Sequence, residues 1–365
     1  MIKKAGYPAE AHVVLTSDGY LLTLHRIPGK DKDSLPVLLQ HGLLCSSADW
    51  IVADKSKGLA YILADHGYDV WLGNFRGNTY SRAHVSLSPS DSQFWNFSFH
   101  ELGVHDIPAM IEYIVNKTSQ PLHTYIGHSM GTTAFYVMAS EKPTFTRMVR
   151  TMVGLAPVAF LEHIQSPIRY LAPFAKDFEI LAHILGEDEF LPQNCVLRWL
   201  ARHGCDVDLF QEKICANMLF LLCGFDNKQF NYTLLPIILN HDPAGASTKT
   251  LVHYAQMIES GKFRMFDYGT EKNLVIYNAT EPPDYKLANI KLPMLLFYSD
   301  NDWLASVADV KRLVYSLTNK VTVYHVPFPN FNHLDYIWGK DAPELVYQKL
   351  LQYMKQVEEP NMISR

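Results

Sequence analysis

Short apolar runs bounded by turn residues recur along most of the chain, and eight of them read as strands. They are His12–Ser17, Tyr20–Ile27, Pro36–His41, Asp69–Asn74, Leu122–Ile126, Val149–Leu155, Pro293–Ser299 and Val321–Val326. Ser17-Asp18-Gly19 between the first two is a hairpin signal. From the third strand onward the strands mostly alternate with segments of helical periodicity: Lys55–Ala64, Leu102–Lys117, Met130–Glu141, Ala305–Leu317 and Leu345–Val357. Parallel strands need a long crossover between them, usually a helix. The alternation therefore predicts an α/β protein with a mostly parallel eight-stranded sheet and helices on both faces.

The interval from Phe160 to Asp284 breaks this rhythm. It carries no strand of comparable quality, but several amphipathic or apolar segments: Ile180–Leu185, Val196–Ala201, Phe210–Phe225 and Thr250–Ser260. It reads as a helical insertion between the sixth and seventh strands, returning through Thr280-Glu281-Pro282-Pro283-Asp284. This divides the chain into a first core part at 1–159, a helical insertion at 160–284 and a second core part at 285–365.

Composition narrows the function classes. At 365 residues, 48% hydrophobic and 19% charged, the chain has the profile of a folded protein with a large core. A formal charge of −5 leaves no basic excess for phosphates, which argues against a nucleic-acid partner. No apolar run is long enough to span a bilayer. Five cysteines at this length do not make a disulfide scaffold. Lys3 and Lys4 are followed by no apolar stretch, so no secretory signal is visible and the sequence as written predicts an intracellular protein.

The chemistry begins at Gly127-His128-Ser129-Met130-Gly131. A strand before it and a helix after it are the context in which G-x-S-x-G holds a serine on a sharp, exposed turn. A Cβ at either glycine would collide with the neighbouring strand or helix. A serine hydroxyl is a poor nucleophile until a base takes its proton, and the base needs a third group to orient it. In this setting the chain order is serine, acid, histidine. Asp300 and Asp302 follow the seventh strand and His333 follows the eighth, at the sheet edge where open α/β sheets gather their chemistry. Taken singly, either aspartate reads as a turn or capping residue and His333 as a surface residue. The ordered set with Ser129 is what points to a triad. Two backbone N–H groups should face the developing oxyanion, Met130 after the nucleophile and Leu43 after Gly42. His128 reads as packing. Arg76 and Asp106 read as a buried charge pair that organises loops.

At this point the residues resemble the acid lipases, the family of gastric and lysosomal acid lipase. The matching words include Gly6-Tyr7-Pro8, Leu39-Gln40-His41-Gly42-Leu43-Leu44, Gly73-Asn74-Phe75-Arg76-Gly77-Asn78-Thr79, Gly127-His128-Ser129-Met130-Gly131, Cys223-Gly224-Phe225, Pro243-Ala244-Gly245, Asp302-Trp303-Leu304-Ala305 and Asn332-His333-Leu334-Asp335. The resemblance implies an α/β-hydrolase fold, with the insertion as a helical cap carrying a lid. It also implies hydrolysis of neutral lipid esters, acylglycerols or sterol esters, with Ser129, Asp302 and His333 as the triad and Asp300 as the alternative acid. Neither cofactor nor metal is implied. The implied partners are a lipid ester substrate and the lipid–water interface, with Met218–Phe225 as a segment that meets lipid or packs in the cap. The family is secreted or lysosomal, in contrast to the visible start of this chain. The resemblance also aligns Cys205, Cys215 and Cys223 with the family's cap cysteines, which makes a Cys205–Cys215 bridge one option.

The sequence departs from the family at Met130, where glutamine is usual, at Phe75, where a small residue is usual, and at Ser306, where an acid is usual. Cys45 beside the oxyanion loop is unusual too. Two other readings stay open: an esterase on small soluble esters, and a lipid-binding homologue with weakened catalysis.

Overall fold

The computed structural model describes residues 1–175, 177, 188–191 and 220–358. Its centre is an eight-stranded sheet. The strands are β1 (Glu10–Leu15), β2 (Leu21–Ile27), β3 (Pro36–Gln40), β4 (Asp69–Leu72), β5 (Leu122–His128), β6 (Val149–Leu155), β9 (Met294–Tyr298) and β10 (Val321–His325). Between β6 and β9, β7 (Glu189–Phe190) pairs with β8 (Ala246–Ser247) in a separate antiparallel ribbon. The sheet order is β1-β2-β4-β3-β5-β6-β9-β10. The β1–β2 and β2–β4 pairs are antiparallel and the rest parallel.

The pattern of side chains explains the order. Every residue of β3, β4 and β5 is buried, as strands covered on both faces require. The edge strands β1 and β10 expose much of their length, β1 with buried Val14 between exposed Val13 and Leu15. Helices α1 (Leu59–Asp65), α2 (Ile107–Thr118), α3 (Met130–Glu141), α5 (Val307–Ser316) and α6 (Gln348–Glu358) supply the layers, and α4 (Thr248–Ser260) lies in the insertion. The path first steps from β3 outward to β4, then turns back through β5 and beyond. With right-handed crossovers, that reversal sends helices to opposite faces. Packing of α2 on α3 covers one face. On the other, Tyr68 after α1 donates to Glu358 of α6 at 2.6 Å.

Most expected elements form with end shifts of one or two residues. The strand before Ser129 continues to His128, two residues past its expected end. The segment expected at Thr250–Ser260 is α4, capped by Ser247 Oγ accepting from Lys249 N–H at 3.2 Å and closed by Gly261 at φ 64°. The β7–β8 ribbon was not expected, because two residues carry no readable period. Ile180–Leu185, Val196–Ala201, Cys205 and Cys215 lie outside the described residues.

Candidate active site

β5 runs into α3 through a turn whose corner is Ser129, at φ 51° and ψ −117°. Non-glycine residues enter that region only when the surroundings impose it. Here two close approaches impose it. A Cβ on Gly127 would lie 2.8 Å from Gly131 C, and one on Gly131 would lie 2.4 Å from Gln40 O. Helix α3 can press on β5 and on the end of β3 because both positions are bare. Thr132 Oγ1 donates to Ser129 O at 2.6 Å and accepts from Val158 N–H at 2.9 Å, which closes the turn. Ser129 is half-buried between buried His128 and Met130.

His333 and Asp302 come together from the loops after β10 and β9. His333 Nδ1 lies 2.9 Å from both Asp302 oxygens, and both residues are buried. A carboxylate only accepts, so Nδ1 carries a proton and Nε2 is the ring nitrogen left to act as base. Asp302 Oδ1 also accepts from Leu304 and Ala305 N–H at 3.0 and 2.8 Å, which fixes the carboxylate. The alternative acid goes elsewhere: Asp300 is exposed and lies 3.0 Å from His325 Nε2. Ser306 starts α5 by capping, accepting from Asp309 N–H at 3.2 Å and donating to Asp309 Oδ2 at 2.9 Å.

His128 does more than pack. Its Nε2 donates to His333 O at 2.9 Å, so the residue before the serine fixes the backbone of the histidine. Burial, then the neighbouring His333, pushes its pKa down to about 3, and it stays a neutral donor. Nothing along the chain signals this bond, which joins positions far apart in sequence.

The turn at Gly42–Cys45 lies against the serine, since a Cβ on Gly42 would sit 3.3 Å from Ser129 Cβ. Leu44 adopts φ 62°, and Cys45 N–H donates to Gly42 O at 3.4 Å. His41 anchors the turn. Its Nε2 accepts from Phe75 N–H and Asn78 Nδ2, both at 3.1 Å, so Nδ1 carries the proton and donates to Gly42 O at 2.8 Å. Burial pushes this imidazole down to about 4. Phe75 packs edge-on to it at 5.1 Å. Among the described residues, neither the Leu43 nor the Met130 N–H donates to a backbone carbonyl. Met130 opens α3, where first-turn amides have no intrahelical acceptor.

A tripeptide of the insertion joins the acid loop to the histidine loop. Cys223 O accepts from Trp303 N–H at 3.4 Å and from His333 N–H at 3.3 Å. Gly224 O accepts from Asn332 Nδ2 at 2.9 Å, and Phe225 O accepts from Asn301 Nδ2 at 3.0 Å. Gly224 sits at φ 109°, and a Cβ there would lie 2.1 Å from Asn301 O. The described part of the 218–225 stretch has both expected characters. Phe220 and Cys223 are buried, whereas Leu221, Leu222 and Phe225 are exposed.

Arg76 is buried and organises loops, as its sequence context suggests. Its Nε donates to Asp106 Oδ1 at 2.7 Å, and its Nη1 and Nη2 donate to Asp18 at 2.6 and 2.8 Å. The guanidinium lies 3.9 Å from the Tyr20 ring centroid. Asp18 belongs to the β1–β2 hairpin and Asp106 to the turn before α2, so one cation fastens three loops.

The chain matches two family models, "alpha/beta hydrolase fold" over residues 36–340 and "Partial alpha/beta-hydrolase lipase region" over residues 1–54. It is 43% identical to Lipase 3 of Drosophila melanogaster, covering 98% of this chain and 92% of that protein. Against the human lysosomal acid lipase/cholesteryl ester hydrolase identity is 39%, with 97% and 89% covered. Against the gastric triacylglycerol lipase of Rattus norvegicus it is 40%, with 97% and 90% covered. A solved monoacylglycerol lipase of Paleococcus ferrophilus shares the fold, with a TM-score of 0.54 at 14% identity, covering 92% of this chain and 99% of that one. With matches of this identity running over nearly its whole length, the chain belongs to the α/β-hydrolases, in the branch that holds the lysosomal acid and gastric lipases.

Proposed function

We propose that this protein is a serine lipase that hydrolyses carboxylic esters of neutral lipids, acylglycerols or sterol esters, through Ser129, His333 and Asp302. The observation that carries the reading is a serine on a strained elbow, whose neighbour His128 bonds the His333 backbone, beside a buried imidazole whose Nδ1 is held by a carboxylate. Ser129 Oγ attacks the ester carbonyl while His333 Nε2 takes its proton. His333 then protonates the leaving alcohol, and Asp302 steadies the imidazolium. The Leu43 and Met130 amides donate to the oxyanion. Water, deprotonated by His333, releases the fatty acid from the acyl-serine.

Residues 160–284 serve in this reading as a cap over a core built from 1–159 and 285–365. Exposed Tyr170, Leu171, Phe174, Leu221, Leu222 and Phe225 give the cap an apolar surface suited to a lipid–water interface. The names of the relatives, a cholesteryl ester hydrolase and a triacylglycerol lipase, support a neutral lipid ester as substrate.

The test is hydrolysis of a long-chain triacylglycerol emulsion and of a short soluble ester, at acidic and neutral pH, beside Ser129→Ala. Emulsion activity that the variant lacks is expected. Activity on the soluble ester alone would make the protein an esterase. No serine-dependent turnover by folded protein would reject the enzyme and leave a lipid-binding role.

A further inference from the structure

Two buried carboxyls stand beside the oxyanion turn with no opposite charge paired to them among the described residues. Asp49 lies just after the Gly42–Cys45 turn and Asp242 lies in the insertion; they are 2% and 9% exposed. Their carboxyl oxygens and the Cys45 sulfur lie within 4.8 Å of one another. Taken as carboxylates, both Asp49 oxygens and Asp242 Oδ1 lack a well-formed hydrogen bond among the described residues, and the Cys45 thiol, Ser46 backbone and Trp338 indole near Asp49 offset only part of the cost of its burial.

The groups that face the pair come from four segments: the Cys45 thiol and Ser46 backbone beside Asp49, the Trp338 indole, the Tyr80 hydroxyl, and Cys223 near Cys45. His241, next to Asp242, is bonded through Nδ1 to Tyr80 OH at 3.0 Å, and burial pushes its pKa down, against the charged form. None of the other groups is a cation. Two bare carboxylates cannot both ionise at this separation in a buried site. One proton between them turns one carboxyl into the donor that the other lacks.

The pair also joins backbone that bears on the candidate site. Ala244 N–H, two residues past Asp242, donates to Leu44 O at 2.6 Å. Ala244 O accepts from Thr79 N–H at 2.9 Å and from Thr79 Oγ1 at 3.1 Å. Thr79 continues the loop whose Phe75 and Asn78 hold His41.

We infer that Asp49 and Asp242 share a proton and act as positioning residues, holding the Leu43–Cys45 turn against the insertion at acidic pH and loosening it when that proton is lost. Burial, then the Asp49 charge, pushes Asp242 well above the usual carboxylate range, and burial also raises Asp49. A raised folded-state pKa gives stability that is present in full at acidic pH and is lost as pH rises through that pKa. The catalytic consequence rests on the proposed oxyanion role of Leu43; the stability consequence does not.

The experiment compares the full chain with the double variant Asp49→Asn, Asp242→Asn, whose amides keep a hydrogen bond and carry no charge. Thermal unfolding is followed against pH, and kcat/KM for a soluble ester over the same range. The wild type should lose Tm relative to the variant as pH rises, and the alkaline limb of kcat/KM should move up by about one unit in the variant. Parallel Tm curves would overturn the shared proton. A shifted Tm slope with an unshifted kcat/KM limb would overturn the positioning role. If neither protein turns over ester but the Tm slopes differ, the lipase reading fails and the proton-sharing pair stands. Should the double variant not fold, Asp242→Asn is examined by infrared spectroscopy. A protonated-carboxyl stretch at neutral pH in the wild type, absent from the variant, is expected; its absence from the wild type would overturn the inference. Stoichiometric zinc in the purified protein, displaced by cadmium with thiolate absorption, would also overturn it, because a cation would then replace the proton.

Discussion

Single residues at the candidate site are set by bonds to distant parts of the chain. Asp302 and Asp300 are the same residue type two positions apart, yet one is buried against His333 and the other is exposed beside His325. The difference makes a sharp prediction. Asp302→Asn should lower kcat by ~10⁴-fold, because the imidazole loses the acceptor that fixes its tautomer. Asp300→Asn should stay within ~twofold of wild type, as surface changes away from such features do. Steady-state kinetics on a soluble ester reads both, and equal losses would reject the assignment. Ser129, Asp302 and His333 could be picked from the sequence because their order along the chain follows the order of the strands. The bond from His128 to His333 O could not, since it depends on how the loop after β10 folds back over β5. The Asp49–Asp242 approach was hidden for the same reason: nothing in either local context announces the other carboxyl.

Among the elements, the junction of β5 and α3 is the most constrained. Gly131→Ala places a methyl 2.4 Å from the backbone oxygen of Gln40, which a side-chain rotation cannot relieve. The helix must move off β3, at a cost of about 1–3 kcal/mol. Urea denaturation should show that loss. A fall in kcat out of proportion to it should follow, because the same shift displaces Ser129 and the Met130 amide. Unchanged kcat would mean that the elbow tolerates a wider angle than its contacts indicate. The strands and core helices were legible as elements because each presents a full period of apolar positions. Their order in the sheet was less so: β4 lies between β2 and β3 although it follows both. That placement comes from pairing across the sheet, which local patterning does not encode. In the insertion, periodicity located α4, whereas the β7–β8 ribbon is too short to have a period.

For the whole molecule, the notable balance is between buried histidines and buried acids. Burial pushes His41 and His123 down to about 4, and His128 and His253 to about 3. A base with a lowered folded-state pKa gives stability that is present above its ordinary pKa and lost as pH falls through the folded value. Unfolding at roughly pH 5 should therefore bind about four protons on these side chains. His123 lies on the far α6 side of β5, near Tyr68 and Glu358, and offers a clean check. His123→Gln should remove about one proton from that uptake, flattening the acid side of the Tm curve while leaving kcat/KM unchanged. An unaltered slope would show that His123 is protonated in the folded protein. Toward alkaline pH the Asp49–Asp242 pair works in the opposite sense, so stability should peak between the two limits.

The carbonyl of Cys223 bears on how such proteins can be recombined. Because it receives N–H groups from both Trp303 and His333, the insertion is not an exchangeable module set on a finished core. A chimera that takes 160–284 from one relative and the rest from another inherits a tripeptide and two loops that were never fitted to each other. A donor fragment that carries Cys223–Phe225 should also bring the stretch from Asn301 to His333, because those parts are bonded as a unit.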